Sequence, residues 1–443
     1  LAERGIVNGQ LVDPEKLDGD PFIRQVVADV TAREMEQVAE AAEPAPLELA
    51  QTEPPKPEAS PGESAAPDEP AVTSEPVAFY PAGQNNLPYD IVVEKLHIEN
   101  PELEISASPA KNFRITDEHL GEGGPKQKFA RNVEAIRTLL AIEAERRSAT
   151  PEEQEILSQY VGWGGLADAF DPDKDSWARE YSQLKELLSP EEYVAARAST
   201  LNAHYTSPTV IRAIYDAVEQ MGFTTGNILE PSMGVGNFFG MLPESMQGSR
   251  LYGVELDSIT GRIAQQLYPE ANITVAGFET TSQRDFYDLA VGNVPFGNYK
   301  VNDKAYNNLG FSIHNYFFAK ALDQVRPGGV VAFVTSRFTM DSKDSTARKY
   351  LAQRADLLGA VRLPNNAFKA NAGTEVVSDI LFLQKLERPI DREPEWVQVG
   401  QTPEGFTVNQ YFVDHPEMIL GELSAESTQY GREDVTVDPI EGA

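Results

Sequence analysis

The sequence predicts an α/β protein in which an all-helical extension precedes a mostly parallel β-sheet. Two patterns carry this prediction. From residue 205 onward, short β-branched runs alternate with stretches of helical periodicity, a rhythm typical of βαβ units. Between residues 111 and 203, apolar residues instead recur at helical spacing. The 443 residues include no cysteine, which excludes disulfide scaffolds and thiolate metal sites.

Acidic residues are concentrated in the flanks of the chain. The formal net charge is −32, to which residues 1–110 contribute −16 and residues 386–443 contribute −10. The central region, 111–385, carries 34 acidic and 28 basic residues. Strong autonomous affinity for DNA is therefore not expected, because phosphate contacts need clustered Lys and Arg. With five histidines and no cysteine, we expect no metal centre.

The first 80 residues are predicted to contribute little to a folded core. Residues 1–40 are an uncertain segment in which the periodicity over 21–41 predicts one amphipathic helix, and residues 41–80 are a Pro- and Glu-rich, disordered linker. No run of eighteen apolar residues and no signal peptide occur. We therefore expect a cytoplasmic protein with no membrane contact. Leu1 in place of methionine suggests a segment of a longer protein.

The all-helical extension spans residues 111–203. Its predicted helices cover residues 126–147, 151–161, 177–188 and 190–201. Between the second and third helices lies the run YVGWGGL, residues 160–166. Trp163 and its glycines indicate either a tight turn with an aromatic anchor or a direct ligand contact.

Seven strands and five helices are predicted after the extension. The strands cover residues 226–230, 250–255, 272–275, 287–292, 329–335, 357–363 and 376–385. The helices cover residues 208–221, 237–242, 257–267, 312–326 and 343–354. A short strand and a small helix are expected over 394–421. Ligands of such sheets bind where parallel strands end, so we expect the functional residues directly after the strands.

The first strand leads into a glycine-rich turn, EPSMGVGNF, residues 230–238. Gly234 and Gly236 permit a close approach of the backbone to a ligand, and the following helix start offers free N–H groups. No Lys-Ser or Lys-Thr follows, so the turn is not a P-loop. The carboxylate of Glu230 suits a cationic amino group rather than a pyrophosphate.

Two further strands end in polar residues. The second strand ends in GVELD, residues 253–257, where Glu255 either accepts the hydroxyls of a ribose or acts as a helix N-terminal carboxylate. The fourth strand ends at Gly292 and is followed by NVPFG, residues 293–297.

Taken in order, HYTSP, EPSMGVGNF, GVELD, AGFE, NVPFG and RPGGVVAFVTS resemble the motifs of S-adenosylmethionine-dependent adenine-N6 DNA methyltransferases. The resemblance implies a Rossmann-like class I methyltransferase fold with a seven-stranded sheet over 204–386, followed by an acidic C-terminal segment over 387–443. Together with YVGWGGL and LPNNAFKANAGTEVVSDILFLQK, it is similar to the methylase-like N-terminal domains of large helicase-containing proteins of phages and conjugative elements.

The resemblance implies S-adenosylmethionine as the cofactor, with Tyr205 and Thr206 at its methionine moiety, the glycine turn at its amino acid end and Glu255 at its ribose. The full implied set is Tyr205, Thr206, Glu230, Pro231, Gly234, Gly236, Asn237, Phe238, Glu255, Asp257 and Glu279. Within this set Asp257 is a second candidate for the ribose, and Glu279 is displaced from the position at which the family carries an acidic residue facing adenine.

The implied catalytic residues are Asn293, Val294, Pro295 and Phe296. The family has Asn or Asp, two prolines and an aromatic residue there, so Val294 departs from the pattern. The Asn293 side-chain oxygen and the Val294 carbonyl would accept the two protons of the exocyclic amine. Phe296 would stack on the flipped-out adenine, and Phe368 either covers its opposite face or packs in the core.

The function expected from these residues is methyl transfer to adenine N6 in DNA, with a covalently attached helicase region as a partner. Two alternatives stay open. One is a catalytically inactive, methyltransferase-like DNA-binding or anti-restriction module beside a helicase. The other is a methyltransferase that acts on RNA or on protein glutamine, whose planar amides and amines suit the same kind of loop.

Overall fold

The computed structural model describes residues 5–7, 10–12, 110–117, 119–200, 206–297, 299–368, 376–427 and 433–440. The predicted helix over 21–41 and the predicted linker over 41–80 lie outside these residues. No helix of the described part is both long and apolar enough to cross a membrane.

The helices lie close to their predicted positions. They are α1 Pro125–Glu145, α2 Pro151–Ser158, α3 Ala178–Leu187, α4 Pro190–Ser199, α5 Pro208–Gln220, α6 Asn237–Gly240, α7 Ser258–Leu267, α8 Ile313–Gln324, α9 Phe338–Asp341, α10 Thr346–Ala352 and α11 Gln410–Asp414. Capping residues explain where several of these helices begin. Thr150 and Glu153 form a capping box at α2, and Ser189 and Glu192 form another at α4.

The strands also follow the predicted pattern, with additions at both ends of the chain. They are β1 Gly5–Val7, β2 Gln10–Val12, β3 Asn227–Glu230, β4 Arg250–Glu255, β5 Asn272–Val275, β6 Tyr287–Asn293, β7 Val325–Ser336, β8 Ala355–Arg362, β9 Ser378–Lys385, β10 Val399–Gln401, β11 Thr407–Asn409, β12 Glu422–Ser427 and β13 Glu433–Asp438. The pairs β1–β2, β10–β11 and β12–β13 are antiparallel hairpins.

Seven strands form one sheet in the order β5-β4-β3-β6-β7-β9-β8. All neighbours pair in parallel except β9, which runs antiparallel between β7 and β8. This order confirms the predicted Rossmann-like, mostly parallel, seven-stranded sheet. The order reverses between β3 and β6, which is where open α/β sheets bind their ligands.

The sheet is covered on both faces, which explains why its central strands are apolar along their whole length. Alternate residues of β3 and β6, such as Ile228 and Leu289, pack with the extension and with α5 and α7. Their neighbours, such as Leu229 and Ala290, pack with α8 and α10 on the opposite face.

The helical extension is bonded to the segments that follow β3 and β4. The N–H of Phe113 donates to the carbonyl of Leu267 (2.8 Å), and the N–H of Ile115 donates to the carbonyl of Gly240 (2.9 Å). The guanidinium of Arg262 on α7 pairs with Glu143 and Glu192 of the extension, each at 2.9 Å. The extension therefore holds the helices that begin beside the predicted cofactor residues.

The YVGWGGL run forms a turn whose aromatic residue is an anchor. Gly162 and Gly165 have positive φ angles of 66° and 70°, a conformation that glycine adopts without steric cost. The Asn132 side chain holds the turn by accepting from the N–H of Val161 (2.9 Å) and donating to the carbonyl of Gly162. Trp163 is buried against Phe129, Tyr160 and Phe170.

The C-terminal hairpin β12–β13, which the sequence did not predict, folds against the segments that follow β7 and β8. The N–H of Asn365, in the loop after β8, donates to the carbonyl of Val437 in β13 (2.8 Å). Asp434 of the same strand pairs with Arg337, which directly follows β7. The hairpin β12–β13 was missed because its contacts are made to distant loops rather than within a regular local pattern.

A buried ion network fixes the antiparallel corner of the sheet. The guanidinium of Arg362, at the end of β8, pairs with Asp379 of β9 and with Asp341 of α9, both at 2.8 Å. Arg362 and Asp379 are fully buried, and the Arg362 guanidinium also lies over the Phe412 ring at 4.3 Å.

We expect Asp379→Asn to lower the free energy of unfolding by roughly 3–5 kcal/mol, because it leaves the buried Arg362 charge under-compensated. Urea denaturation measures the change. The matched control is Glu393→Gln, which breaks the exposed pair of Glu393 with Lys349 and should change stability by about 0–1 kcal/mol. Equal effects of the two substitutions would contradict a structural role for the buried network.

Candidate functional site

The ends of β3 and β6 bring the glycine turn and the NVPF loop to one edge of the sheet. The two strands are parallel neighbours, and Glu230 and Asn293 are the last residues of each. Side chains alternate along a strand, so Glu230 shares a face with Ile228, and Asn293 shares that face with Leu289. A Cβ at Gly292 would lie 3.5 Å from Cγ of Glu230. The structure therefore places these two segments in close proximity.

The glycine turn after β3 depends on two left-handed residues. Gly234 and Gly236 have φ angles of 56° and 84°. A Cβ at Gly236 would lie 2.6 Å from the Tyr268 ring, so any larger residue would both strain the backbone and clash. The N–H of Met233 donates to the carbonyl of Val254 (3.0 Å), which ties the turn to β4.

Glu255 holds the glycine turn in place. Its Oε2 accepts from the N–H of Gly234 (2.8 Å), and its Oε1 accepts from the N–H of Asp257 (2.8 Å). Burial raises the pKa of Glu255 to about 7, although these two N–H groups favour the charged form. Each oxygen keeps a second lone pair, so Glu255 can still accept hydrogen bonds from a ligand.

Asp257 serves as the N-cap of α7. Its Oδ1 accepts from the N–H of Thr260 (2.8 Å) and from the hydroxyl of Thr260 (2.6 Å). The helix-capping role, which the sequence offered as an alternative for Glu255, therefore belongs to Asp257.

Glu230 is a buried carboxylate whose charge lacks compensation. Its side chain is 2% exposed, and among the described residues Oε2 has no hydrogen-bond partner. Burial, followed by the nearby charge of Glu255, raises the pKa of Glu230 well above its usual range. An unpaired carboxylate in such surroundings is stabilised only by a proton or by a cation.

The other predicted cofactor residues differ in where they lie. Thr206 is buried next to Ser207, the N-cap of α5, whereas Tyr205 lies outside the described residues. Pro231 follows Glu230 directly, and Asn237 begins α6. The Phe238 ring, which was predicted to contact the cofactor, packs in the core beside Tyr215, so only its backbone lies at the turn.

Glu279 lies in a helical turn, Phe278–Thr280, that follows β5. Its carbonyl accepts from Nζ of Lys320 on α8 (2.9 Å). The same ammonium pairs with the buried Asp303 at 2.7 Å, and the Tyr316 hydroxyl donates to Asp303 at 2.9 Å. This buried cluster, which sequence patterns did not indicate, fixes the loop after NVPF against α8.

The backbone of the NVPF loop continues the sheet by one residue. The N–H of Val294 donates to the carbonyl of Val334 in β7 (3.1 Å), and the Val294 side chain is buried. Pro295 follows, and Phe296 is half-buried against the core beneath the turn.

Phe368, a candidate to cover the target base, is instead a core residue. Its side chain is 1% exposed and belongs to the same apolar cluster as Leu363 and Val334. Of the two alternatives that the sequence left open for Phe368, the structure supports packing.

His314 is a residue near the NVPF loop that the sequence analysis did not single out. It is buried near the start of α8, with Nε2 located 2.9 Å from the Ser312 hydroxyl. Burial lowers the pKa of His314 to about 4 despite a contact with the Gly297 backbone, so the ring is neutral at pH 7. A single histidine after a loop belongs to no recognisable motif, so the sequence could not predict that His314 lies near the NVPF loop.

A cavity of about 270 Å³ among the described residues is bordered by Lys300, Tyr306, Phe311 and Tyr316. It lies beside α8 rather than between the ends of β3 and β6. The Tyr306 hydroxyl donates to Asp323 near the C-terminus of α8 (2.7 Å), which joins the loop that borders the cavity to this helix.

No family model matches the sequence. Over 246 residues the chain is 30% identical to the defense against restriction protein B of Escherichia phage P1, and the match covers 53% of this chain and 9% of the phage protein. The chain thus corresponds to a small part of that relative. This match confirms the resemblance to phage proteins that the motifs indicated.

Two solved structures are similar to parts of the chain at low sequence identity and low TM-score. One is a putative class I S-adenosylmethionine-dependent methyltransferase of Listeria monocytogenes, with 15% identity, a TM-score of 0.37, and coverage of 61% of this chain and 90% of that one. The other is a modification subunit of a putative type I restriction enzyme of Vibrio vulnificus, with 18% identity, a TM-score of 0.36, and coverage of 59% and 63%. The fold assignment rests on the strand order described above.

We expect Glu230→Gln to stabilise the ligand-free protein by roughly 1–3 kcal/mol at pH 8, because it removes a buried, unpaired carboxylate. In the unfolded chain a glutamate ionises near pH 4.3, whereas Glu230 ionises at a higher pH in the native protein. The native state therefore binds this proton more tightly, and its stability falls as the pH rises above roughly 4.3.

Thermal unfolding at pH 5 and pH 8 measures this effect. The gain from Glu230→Gln should be small at pH 5 and larger at pH 8. The exposed Glu270→Gln is the control and should leave stability unchanged at both values. A loss of stability in Glu230→Gln that is independent of pH would show that the carboxylate is already compensated.

Proposed function

We propose that this domain binds S-adenosylmethionine and transfers its methyl group to the N6 amine of adenine in DNA. One observation carries the proposal: a buried carboxylate with an unpartnered oxygen, Glu230, ends the strand next to the one that ends in Asn293. This adjacency supports a site for a cation beside a site for an amine at the switch point of the sheet.

The residues present fit the proposed cofactor. Its amino group is cationic and would compensate Glu230, whose Oε2 has no hydrogen-bond partner among the described residues. Its ribose would use the remaining lone pairs of Glu255, and the left-handed glycines of the turn leave the backbone open to its amino acid end. When bound, the cofactor would supply an electrophilic methyl group.

Asn293 and Val294 would activate the amine. The lone pair of the adenine amine is delocalised into the ring, so hydrogen bonds to both of its protons make the nitrogen a better nucleophile. The Asn293 side-chain oxygen and the Val294 carbonyl are the proposed acceptors. As the bond from the methyl carbon to nitrogen formed, the bond from that carbon to the sulfonium sulfur would break, leaving a neutral thioether, and the nitrogen would give up one proton to solvent.

The hydrogen bond from Val294 to Val334 offers a reason why valine suffices where the family has proline. A proline ring fixes φ but donates no hydrogen bond. Val294 keeps its N–H, and the bond to β7 restrains the same backbone segment. Preorganisation of the carbonyl, on which this kind of catalysis depends, would then come from the sheet rather than from a ring.

A second candidate is a module without turnover that protects or docks DNA. The similarity to a phage protein named for defense against restriction favours it. In both cases we propose that the domain acts within a larger protein that carries a helicase region, in a bacterial or phage-infected cell, and that sequences outside this chain contribute much of the DNA affinity.

We expect Asn293→Ala to reduce methyl transfer to unmodified DNA by roughly 10²–10³-fold, by analogy with the loss of one preorganised hydrogen-bonding group in an active site. Cofactor binding should persist, because the cofactor would be held by the β3 and β4 ends. Incorporation of labelled methyl groups measures turnover, and calorimetry measures cofactor binding.

Val294→Ala is the matched control for this loop, since it retains the backbone carbonyl and should retain turnover in the folded fraction. Activity of Asn293→Ala equal to that of the parent would refute the catalytic assignment. Cofactor binding without turnover in the parent would favour the inactive module.

We also expect the affinity for S-adenosylmethionine to rise with pH between about 6 and 8. Burial raises the pKa of Glu255 to about 7, and only its ionised form offers both oxygens as acceptors. Calorimetry in buffers of different ionisation enthalpy measures the protons released on binding. In Glu255→Gln the affinity should be lower and its rise near pH 7 should be reduced. An unchanged pH profile would show that Glu255 does not contact the cofactor.

A further inference from the structure

An exposed aromatic ring lies beside the NVPF loop. In the sheet, Val334 of β7 pairs with Asn293 of β6, and Phe338 follows Val334 by four residues as the first residue of α9. Four residues span at most about 14 Å, so Phe338 emerges from the same edge of the sheet as Asn293.

Phe338 is 50% exposed, the largest value among the large apolar side chains of the described residues. Single exposed apolar residues are common on protein surfaces, so exposure alone assigns no role. Here, however, a cation lies against the ring. The Arg337 guanidinium lies over the ring at 4.2 Å, and the N–H of Phe338 donates to the hydroxyl of Ser336 (3.3 Å).

The guanidinium beside the ring is itself held by two carboxylates. Arg337 is held by Asp341 (3.5 Å) and by Asp434 of the C-terminal hairpin, so its guanidinium stays on one face of the ring. Lys343, just beyond α9, is exposed and makes no ion pair within the described part of the chain. An exposed ring followed by an exposed lysine in the same segment would suit one base and its phosphate.

We propose that Phe338 stacks on an unpaired base of DNA adjacent to the target nucleotide, and that Lys343 contacts the phosphate of that nucleotide. The inference rests on the proposed function, since it names how that site holds its substrate strand. Stacking on an aromatic ring tolerates every base. It also supplies affinity without the clustered basic residues that the central region lacks.

The test measures binding of a short, fluorescently labelled single-stranded oligonucleotide containing adenine, by anisotropy at low salt, to the full chain. We expect Phe338→Ala to weaken binding by roughly 5- to 150-fold, equivalent to about 1–3 kcal/mol. Phe338→Trp should retain the parental affinity, because its ring can also stack.

The matched control is Phe286→Ala. Phe286 is 39% exposed and precedes β6, so it lies at the opposite edge of the same sheet. This variant should bind the oligonucleotide like the parent. Calorimetry with S-adenosylmethionine should give parental affinity for both alanine variants, which excludes misfolding as the cause of weakened DNA binding.

The possible results separate this inference from the proposed function. Equal oligonucleotide affinity of the parent and Phe338→Ala, or equal losses in Phe338→Ala and Phe286→Ala, would overturn the stacking role. A cofactor-binding parent with no affinity for the oligonucleotide would overturn it as well. Phe338-dependent binding in a protein that transfers no methyl group would support the DNA contact while refuting the enzyme.

Discussion

Burial of the Glu230 carboxylate is the constraint on which the candidate site depends. Taking an unpaired charge out of water is unfavourable. Two neighbouring residues nevertheless define the surroundings of this carboxylate. Gly292 in β6 leaves no side chain between that strand and Glu230, while Glu255 holds the neighbouring glycine turn through the N–H of Gly234. The rest of the sheet supports this geometry, and a bound cation would relieve the electrostatic strain.

The elements that the sequence predicted are those defined by local patterns. Strands β4 and β5 have their predicted bounds, and α2 and α4 begin where capping boxes begin. The adjacency of Glu230 and Asn293 followed from a general property of parallel sheets rather than from any local signal. Gly234 and Gly236 were expected at the turn because glycine lets the backbone approach a ligand closely, and both have left-handed conformations in the structure.

The features that the sequence did not predict depend on contacts between distant residues. Phe368 was ambiguous because the same ring suits a core or a base, and only its burial decides between them. The β12–β13 hairpin and the Asp303–Lys320 pair involve residues whose partners lie in other loops. Val294 departs from a family motif, and a single backbone hydrogen bond to Val334 suggests how the departure is accommodated.

The bonds that join the extension to the sheet also bear on how the chain folds during synthesis. Phe113 is bonded to Leu267, and Ile115 to Gly240, so these contacts form only after more than a hundred further residues have left the ribosome. At about 5–20 residues per second, Phe113 and Ile115 reach these partners only on the order of ten seconds after they are synthesised. The segment before α1 is therefore fixed to the sheet late in synthesis, after the helical extension that follows it can already have packed on itself.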